Sequence, residues 1–393
     1  MATGLTGVKH IVAIHSAKGG VGKSTITLNL AVAAAQAGAR VGLMDVDIYG
    51  PSQALMAGTD ARPAYVAEGK KQVFPIEAHG IKFISMGNLT GQKVPVIWRG
   101  AMVHGVIHQF CNEVVWGELD YLFIDMPPGT GDAILTIGQS ISLSGAVVVT
   151  TPQNLSVTDT RRGLQAFHQL GIPVLGILEN MSYFVCDGCD DRVQLFGSEG
   201  GAQLAHDLGL PLLGQIPVEG DVCDAGDAGN PLLLRQSEST AAKAIRAAAD
   251  TVLQALAEQG PIAAFDFTWD SDPFAARQAR PPQEVEGQGL PVSAVWQVSS
   301  DELGIKWATE GSISVLPVRK LRQSCPCAVC VDEYTGEKKL QDDQVPQDIS
   351  LAKVHSVGRY ALALHFSDGH DSGIFRFDRL RALAREREAS LRT

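Results

Sequence analysis

The chain has 393 residues, 45% of them apolar and 19% charged, with 32 Lys and Arg against 43 Asp and Glu for a net charge of −11. That apolar share excludes a disordered chain and, at roughly 150 residues per domain, supports two or three domains. The acidic balance argues against gripping nucleic acid through bulk charge, and no apolar run reaches the ~18 residues of a membrane span.

No cleavable apolar core follows Met1–His10. A cytoplasmic location is therefore expected, or a stromal or matrix one after loss of a transit peptide. Seven cysteines stand at 111, 186, 189, 223, 325, 327 and 330, and five of them fall in two tight clusters. In a reducing compartment such clusters mean metal more often than disulfide.

From residue 9 to about 259, short apolar runs alternate with amphipathic stretches. Strands are predicted at Ile11–His15, Val41–Asp45, Lys82–Met86, Tyr121–Asp125, Ala146–Thr150 and Val174–Leu178. Most are continuous in polarity, as in strands buried on both faces. Helices are predicted at Ser24–Ala37, Met102–Val115, Thr158–Leu170 and Thr240–Glu258. The alternation predicts an α/β domain with a doubly wound, mostly parallel sheet over 1–259. Residues 260–290, rich in Gly and Pro, read as a linker in which Phe265, Phe267 and Trp269 could dock on a neighbour. A smaller β-rich module is expected over 291–385, with strands at Ala294–Val298, Ile313–Pro317, Leu362–Phe366 and Ile374–Phe377. The charged segment Asp378–Arg392 reads as a solvated helix, ending in a tail at 386–393.

The first strand runs into Ser16-Ala17-Lys18-Gly19-Gly20-Val21-Gly22-Lys23-Ser24-Thr25, ahead of a helix. Glycines there let backbone N–H groups cradle phosphates at the positive end of the helix. Lys23 is placed to reach the β- and γ-phosphates, and the Ser24 hydroxyl to coordinate Mg²⁺. Ala17 stands where the usual pattern opens with Gly. Asp125 ends an apolar strand and suits Mg²⁺ held through water, and Asp47 closes Asp45-Val46-Asp47 after the second strand. A turn, Pro127-Pro128-Gly129-Thr130-Gly131-Asp132, follows as a candidate γ-phosphate sensor.

The second lysine, Lys18, makes the loop resemble the deviant P-loop of the MinD, ParA and nitrogenase iron protein class. The resemblance implies an ATP-dependent homodimer in which Lys18 reaches the partner's nucleotide, Asp47 orients the attacking water and Asn180 reads the base. More specifically, the chain resembles the Mrp/ApbC iron–sulfur carrier ATPases over about 9–258. The residues carrying this are Asp45–Ser52 (DVDIYGPS), Trp98-Arg99-Gly100, Asp120–Asp132, Thr151-Pro152-Gln153, Glu179–Ser182 (ENMS), Phe196–Gly201 and Leu213–Pro217. Pro217 is then expected beside the nucleotide pocket. The family binds a [4Fe-4S] cluster and transfers it to apoproteins, which implies client proteins and cluster donors as partners. The acidic balance and the lack of a membrane-length or amphipathic apolar segment lead us to expect neither nucleic acid nor membrane.

Cys186-Asp187-Gly188-Cys189 presents two soft ligands, and a symmetric dimer would supply four. Asp187 stands where that family usually has Pro. A redox dithiol and a bridging zinc are the competing readings of this pair. Cys111, among apolar residues of a predicted helix, is expected in the core. Competing classes for the whole domain are a positioning ATPase, which leaves the cysteine pair unexplained, and an ATP-driven electron donor, which uses widely spaced cysteines. No arginine finger is identifiable, so slow turnover is expected.

Downstream, Cys325-Pro326-Cys327-Ala328-Val329-Cys330 precedes Ser367-Asp368-Gly369-His370 by some forty residues. Three thiolates and one imidazole would close a tetrahedral zinc site of structural type, although these cysteines could also hold a cluster. The segment resembles the domain at the N-terminus of γ-butyrobetaine hydroxylases, also fused to Mrp domains in plastid cluster-assembly proteins. Leu321-Arg322, the cysteine run, Leu362–Phe366 and Asp368-Gly369-His370 carry that likeness, which selects His370 over His355 and His365 as the fourth ligand. The plastid relatives carry a small domain ahead of the P-loop module; here the first strand is expected by residue 9.

Overall fold

Continuous apolar strands need cover on both faces, and in the computed structural model they form the centre of an eight-stranded sheet. The structure describes all residues except 1–4, 6, 48–49, 66–71, 91–99, 130–133, 135–136, 139–140, 142, 171, 187, 199, 236–237, 260–265, 270–282, 285–290, 328, 333–336, 358–360, 372 and 393. The motif Trp98-Arg99-Gly100 lies largely outside the described residues, as do Asp187, the turn Thr130–Asp132 and most of the predicted linker. Two compact units divide at residues 261/262.

In the first unit the strands are β1 (Val8–His15), β2 (Val41–Asp45), β3 (Ile76–Ala78), β4 (Ile81–Ser85), β5 (Leu119–Asp125), β6 (Gly145–Thr150), β7 (Val174–Glu179) and β8 (Leu212–Gln215). Their order is β8-β7-β6-β1-β5-β2-β4-β3, parallel except for the edge pair β3–β4. Helix α1 (Lys23–Gln36) is buried on most sides, packed against β2, β5 and the long helix Thr240–Gln259. Its Ile26, Leu28 and Leu30 meet Val12, Ile14, Val147 and Val149 in the main core. The order reverses around β1, so the carboxyl ends of β1, β2 and β5 open onto one crevice, where an open α/β sheet binds its ligand. Register puts Asp125 opposite both Ile14 and Asp45.

The second unit holds two four-stranded antiparallel sheets. One contains β9 (Val292–Ser299), β10 (Glu302–Trp307) and β11 (Ile313–Pro317); the other contains β12 (Leu351–Val357), β13 (Ala361–Phe366) and β14 (Gly373–Arg376). The strands Asp266–Thr268 and Gln283–Glu284, within the predicted linker, pair with β12 and β9. Trp269 is buried and donates its indole N–H to the Ser300 carbonyl at 2.9 Å.

The terminal helix Phe377–Arg392 departs from the expectation of a solvated element. Phe377, Leu380 and Ala384, spaced by three and four, form a narrow apolar stripe that buries in the core. Arg387 then ties the helix to the Val315 carbonyl and the Glu302 carboxylate. No described helix is long and apolar enough to cross a membrane.

Candidate functional site: a phosphate loop, a cysteine turn and a Cys3His centre

The loop from Ser16 to Gly22 turns sharply because Gly20 and Gly22 take left-handed φ angles of 79° and 83°. Gly22 is constrained twice, since a Cβ there would lie 2.3 Å from Nδ2 of Asn180. It caps α1 without a side-chain hydrogen bond, and no acidic residue enters the first turn. The positive helix end is therefore left for an anion. Lys18, Gly19 and Gly20 are exposed, Val21 is buried, and Ala17, Ser24 and Thr25 are half-buried. Thr25 donates its hydroxyl to the Met56 sulfur at 3.6 Å.

Lys23 is 6% exposed and turns its ammonium onto the carboxylates at the strand ends: 2.5 Å from Asp125 and 3.5 Å from Asp47, with the Ser24 hydroxyl at 3.2 Å. Asp125 also accepts bonds from Thr27 at 3.1 Å and from Gln53 Nε2 at 2.8 Å. Asp45 accepts from Ser85 and from the Asp47 N–H. Burial, and then the neighbouring Asp125 charge, push the Asp45 carboxyl well above the ordinary carboxylate range; burial also raises Asp47. Two carboxylates thus pair with one cation, and the Asp45 carboxyl lies beside Asp125 without an ion pair to the lysine. Ser24 and Asp125 offer the hard oxygen donors that suit Mg²⁺.

Sequence reasoning missed Gln53 and Thr27, both buried and both on Asp125. The available signals were a glutamine directly after DVDIYGPS and a threonine one helical turn beyond Lys23.

Beyond β7 the chain passes from this crevice to the cysteine pair in six residues. Asn180 donates Nδ2 to the Val21 carbonyl at 2.9 Å. Glu179, fully buried, accepts from Ser182, the Gly201 N–H and Gln215 at 2.6, 2.5 and 2.9 Å. Pro217 is buried between Ile216, which bonds Glu179, and Val218, which bonds Tyr183. A two-stranded hairpin, Phe184–Val185 with Arg192–Val193, then carries the cysteines in its turn. Bonds from Cys186 N–H to Asp191 and from Asp190 N–H to Cys186 close that turn, with Asp190 at φ 57°. Cys186 is half-buried, Cys189 is exposed, and neither is in a disulfide. Val193, Leu195 and Phe196 beside them are exposed.

Cys111 is buried, and desolvation pushes its thiol up to about 12. Cys223 is exposed beside Asp227.

In the second unit Cys325, Cys327, Cys330 and His370 converge, their ligand atoms all within 4.8 Å of one another. His370 Nε2 lies 3.2, 3.4 and 3.8 Å from the three sulfurs in that order. Zn–S and Zn–N bonds at tetrahedral angles imply S···N separations of about 3.6 Å, so the group fits a four-coordinate dication. Cys325 and Cys330 are buried and desolvation raises both thiols, a cost that a bound cation would offset. His355 and His365 instead face each other across β12 and β13, ring centroids 5.0 Å apart, outside this group.

Residues 7–253 match the family model described as ParA, the NUBPL iron-transfer P-loop NTPases, and residues 295–381 match the N-terminal domain of γ-butyrobetaine hydroxylase-like proteins. An iron–sulfur cluster carrier protein of Synechocystis is 52% identical over 248 residues, covering 62% of this chain and 70% of the relative. An iron–sulfur protein required for NADH dehydrogenase in Arabidopsis thaliana mitochondria is 42% identical over 255 residues, covering 65% and 81%. Among solved structures, a nucleotide-binding protein from Archaeoglobus fulgidus in complex with ADP is 37% identical with a TM-score of 0.53, covering 60% of this chain and 92% of that one. With its P-loop at the sheet switch point and this match along most of its first unit, the chain belongs to the ParA family of NUBPL iron-transfer P-loop NTPases.

Proposed function

We propose that the chain is an ATP-hydrolysing carrier that receives a [4Fe-4S] cluster on Cys186 and Cys189 of two protomers and passes it to apoproteins. The observation that carries this reading is continuity. One segment places Asn180 against the phosphate loop and, six residues on, the cysteine pair in an exposed turn. A nucleotide-dependent change at the loop therefore has a short covalent path to the ligands. Two thiolates are half of a cluster's four, and a two-fold axis supplies the rest.

In the nucleotide cycle the backbone of Ala17–Thr25 binds phosphate, and Asn180 and Pro217 border the base. Ser24 and Asp125 would hold Mg²⁺, which supplies charge neutralisation on the phosphates. Lys23 exchanges Asp125 for phosphate oxygens, Asp47 orients the attacking water, and the exposed Lys18 serves the partner's nucleotide. The Cys325–Cys327–Cys330–His370 centre holds zinc in a closed structural site that stabilises the small second unit. Residues 1–259 form the ATPase, joined by 260–290 to this module at 291–385.

The test is iron, sulfide and zinc content after anaerobic reconstitution, followed by transfer to an apo-[4Fe-4S] enzyme. About four iron and four sulfide per dimer, lost in Cys186→Ala/Cys189→Ala with one zinc per protomer kept, support the proposal. Zinc alone, bridging the two turns, overturns it.

A further inference from the structure

Arg322 belongs to none of the roles above, yet it is buried at 7% exposure on the short helix Val318–Gln323, directly ahead of the cysteine run. Its Nη1 donates to the Cys330 sulfur at 3.2 Å, and its Nε donates to Asp368 Oδ2 at 2.7 Å. The other oxygen of Asp368 accepts the backbone N–H of His370 at 3.1 Å. The guanidinium also lies over the Phe366 ring, 5.7 Å from its centroid. One planar group thus spans both halves of the centre, the cysteine loop and the turn after β13 that delivers the imidazole. A lysine could not make both bonds in this geometry, because only the guanidinium fork is rigid and bidirectional.

The charges point the same way. A dication with three thiolates and a neutral imidazole keeps one surplus negative charge, and Asp368 adds another beside it. Buried charge of one sign is costly unless paired, and Arg322 pairs with both sources through hydrogen bonds.

We infer that Arg322 is a positioning residue for the Cys3His centre: it holds the Cys330 sulfur and, through Asp368, the His370 turn, and so sets how tightly the metal is retained. The inference rests on the metal reading of this centre and deepens it. Groups hydrogen-bonded to metal ligands typically change affinity about 10–100-fold when removed, which is the range expected here.

The experiment uses the full chain loaded with Zn²⁺ or Co²⁺, under anaerobic conditions. Metal release to a chromophoric chelator is timed, and the sulfur-to-cobalt charge-transfer band is recorded. One Co²⁺ per protomer with a tetrahedral spectrum, lost in Cys327→Ser, establishes the metal reading; its absence from the wild type defeats that reading before Arg322 is in question.

With the reading in place, Arg322→Gln should release zinc about 10–100-fold faster and shift the charge-transfer band to lower energy, since a thiolate without its donor is easier to oxidise. Asp368→Asn, which leaves every sulfur contact in place, should speed release with little band shift. Arg322→Lys should recover only part of the retention. A core variant remote from the metal, Ile305→Val, controls for a general loss of stability. Release within twofold of wild type in Arg322→Gln, an unmoved band, or an equal effect of Ile305→Val overturns the proposal.

Discussion

Replacing Lys23 with Met should destabilise the nucleotide-free protein far more than replacing its partner Asp125 with Asn. The ammonium lies 2.5 Å from Asp125 and 3.5 Å from Asp47, with all three side chains largely buried. At an effective dielectric near 20 the gross attractions are about 7 and 5 kcal/mol, most of which desolvation cancels. Removing the cation leaves buried carboxylates facing one another, for which about 3–5 kcal/mol is the expected loss. Asn at 125 retains the acceptor oxygen that serves Lys23 and Thr27, loses the one that accepts from Gln53, and relieves Asp45, whose carboxyl is raised in part by the Asp125 charge. Its cost should stay below about 1.5 kcal/mol, within the net worth of one hydrogen bond. Urea unfolding followed by circular dichroism at 222 nm measures this, fitted as separate transitions because the chain has two units. In a unit of this size the lysine variant should lose roughly 5–9 °C in Tm. A loss under 1 kcal/mol in Lys23→Met, or an equal loss in Asp125→Asn, would refute the reasoning. Mg·ATP should then stabilise the wild type but not Lys23→Met.

Three further outcomes are expected. His15 is buried with no hydrogen-bond partner for either ring nitrogen among the described residues, and desolvation and then Lys23 push it from 6.5 down to about 3. The unfolded chain therefore binds more protons between these values, and stability falls as the pH drops through 6.5. By pH 5 the loss from this residue is roughly 2 kcal/mol, so urea midpoints of His15→Leu should decline correspondingly less than wild type. Iodoacetamide at pH 8 should label the exposed Cys189 and Cys223 of the native apo-protein, read by mass spectrometry, while Cys111 reacts only on unfolding. In β10, a Cβ at Gly304 would meet the Trp296 indole at 2.4 Å, so Gly304→Ala should cost the second unit about 1–3 kcal/mol by overpacking, measurable as a lower Tm for its transition.

Legibility followed the range of the interactions. Continuous apolar runs such as Val41–Asp45 are strands in the structure with the same bounds, because burial on both faces leaves a chemical mark on every residue. The strands at Glu302–Trp307 and Leu351–Val357 escaped, since each carries lysine, glutamate or histidine on its outer face and reads as mixed polarity. The terminal helix reads as solvated because its apolar stripe is only four residues, Phe377, Leu380, Leu383 and Ala384, set among arginines, of which Arg381 lies over the Trp307 ring.

The same logic separates the residues named for the site from those it missed. Lys23, Ser24 and the cysteine runs announce themselves because the ligand they suit requires close spacing in sequence. Gln53 and Arg322 act on partners 72 and 46 residues away, and no local pattern reports such a meeting. Yet both meetings share one logic. A buried group of fixed charge at a loop's end must find an opposite charge or a donor, and the topology decides which element supplies it. At the P-loop that element is the short helix Gln53–Met56 that follows β2, the strand beside β5 in the parallel sheet. At the Cys3His centre it is the helix ahead of the cysteines, whose last turn aims a guanidinium back across them. A chain that keeps the ligands but changes these supports should bind the same groups and hold them less well, which the Arg322 and Asp368 variants measure at one centre and a Gln53→Ala variant, through weakened Mg·ATP affinity, measures at the other.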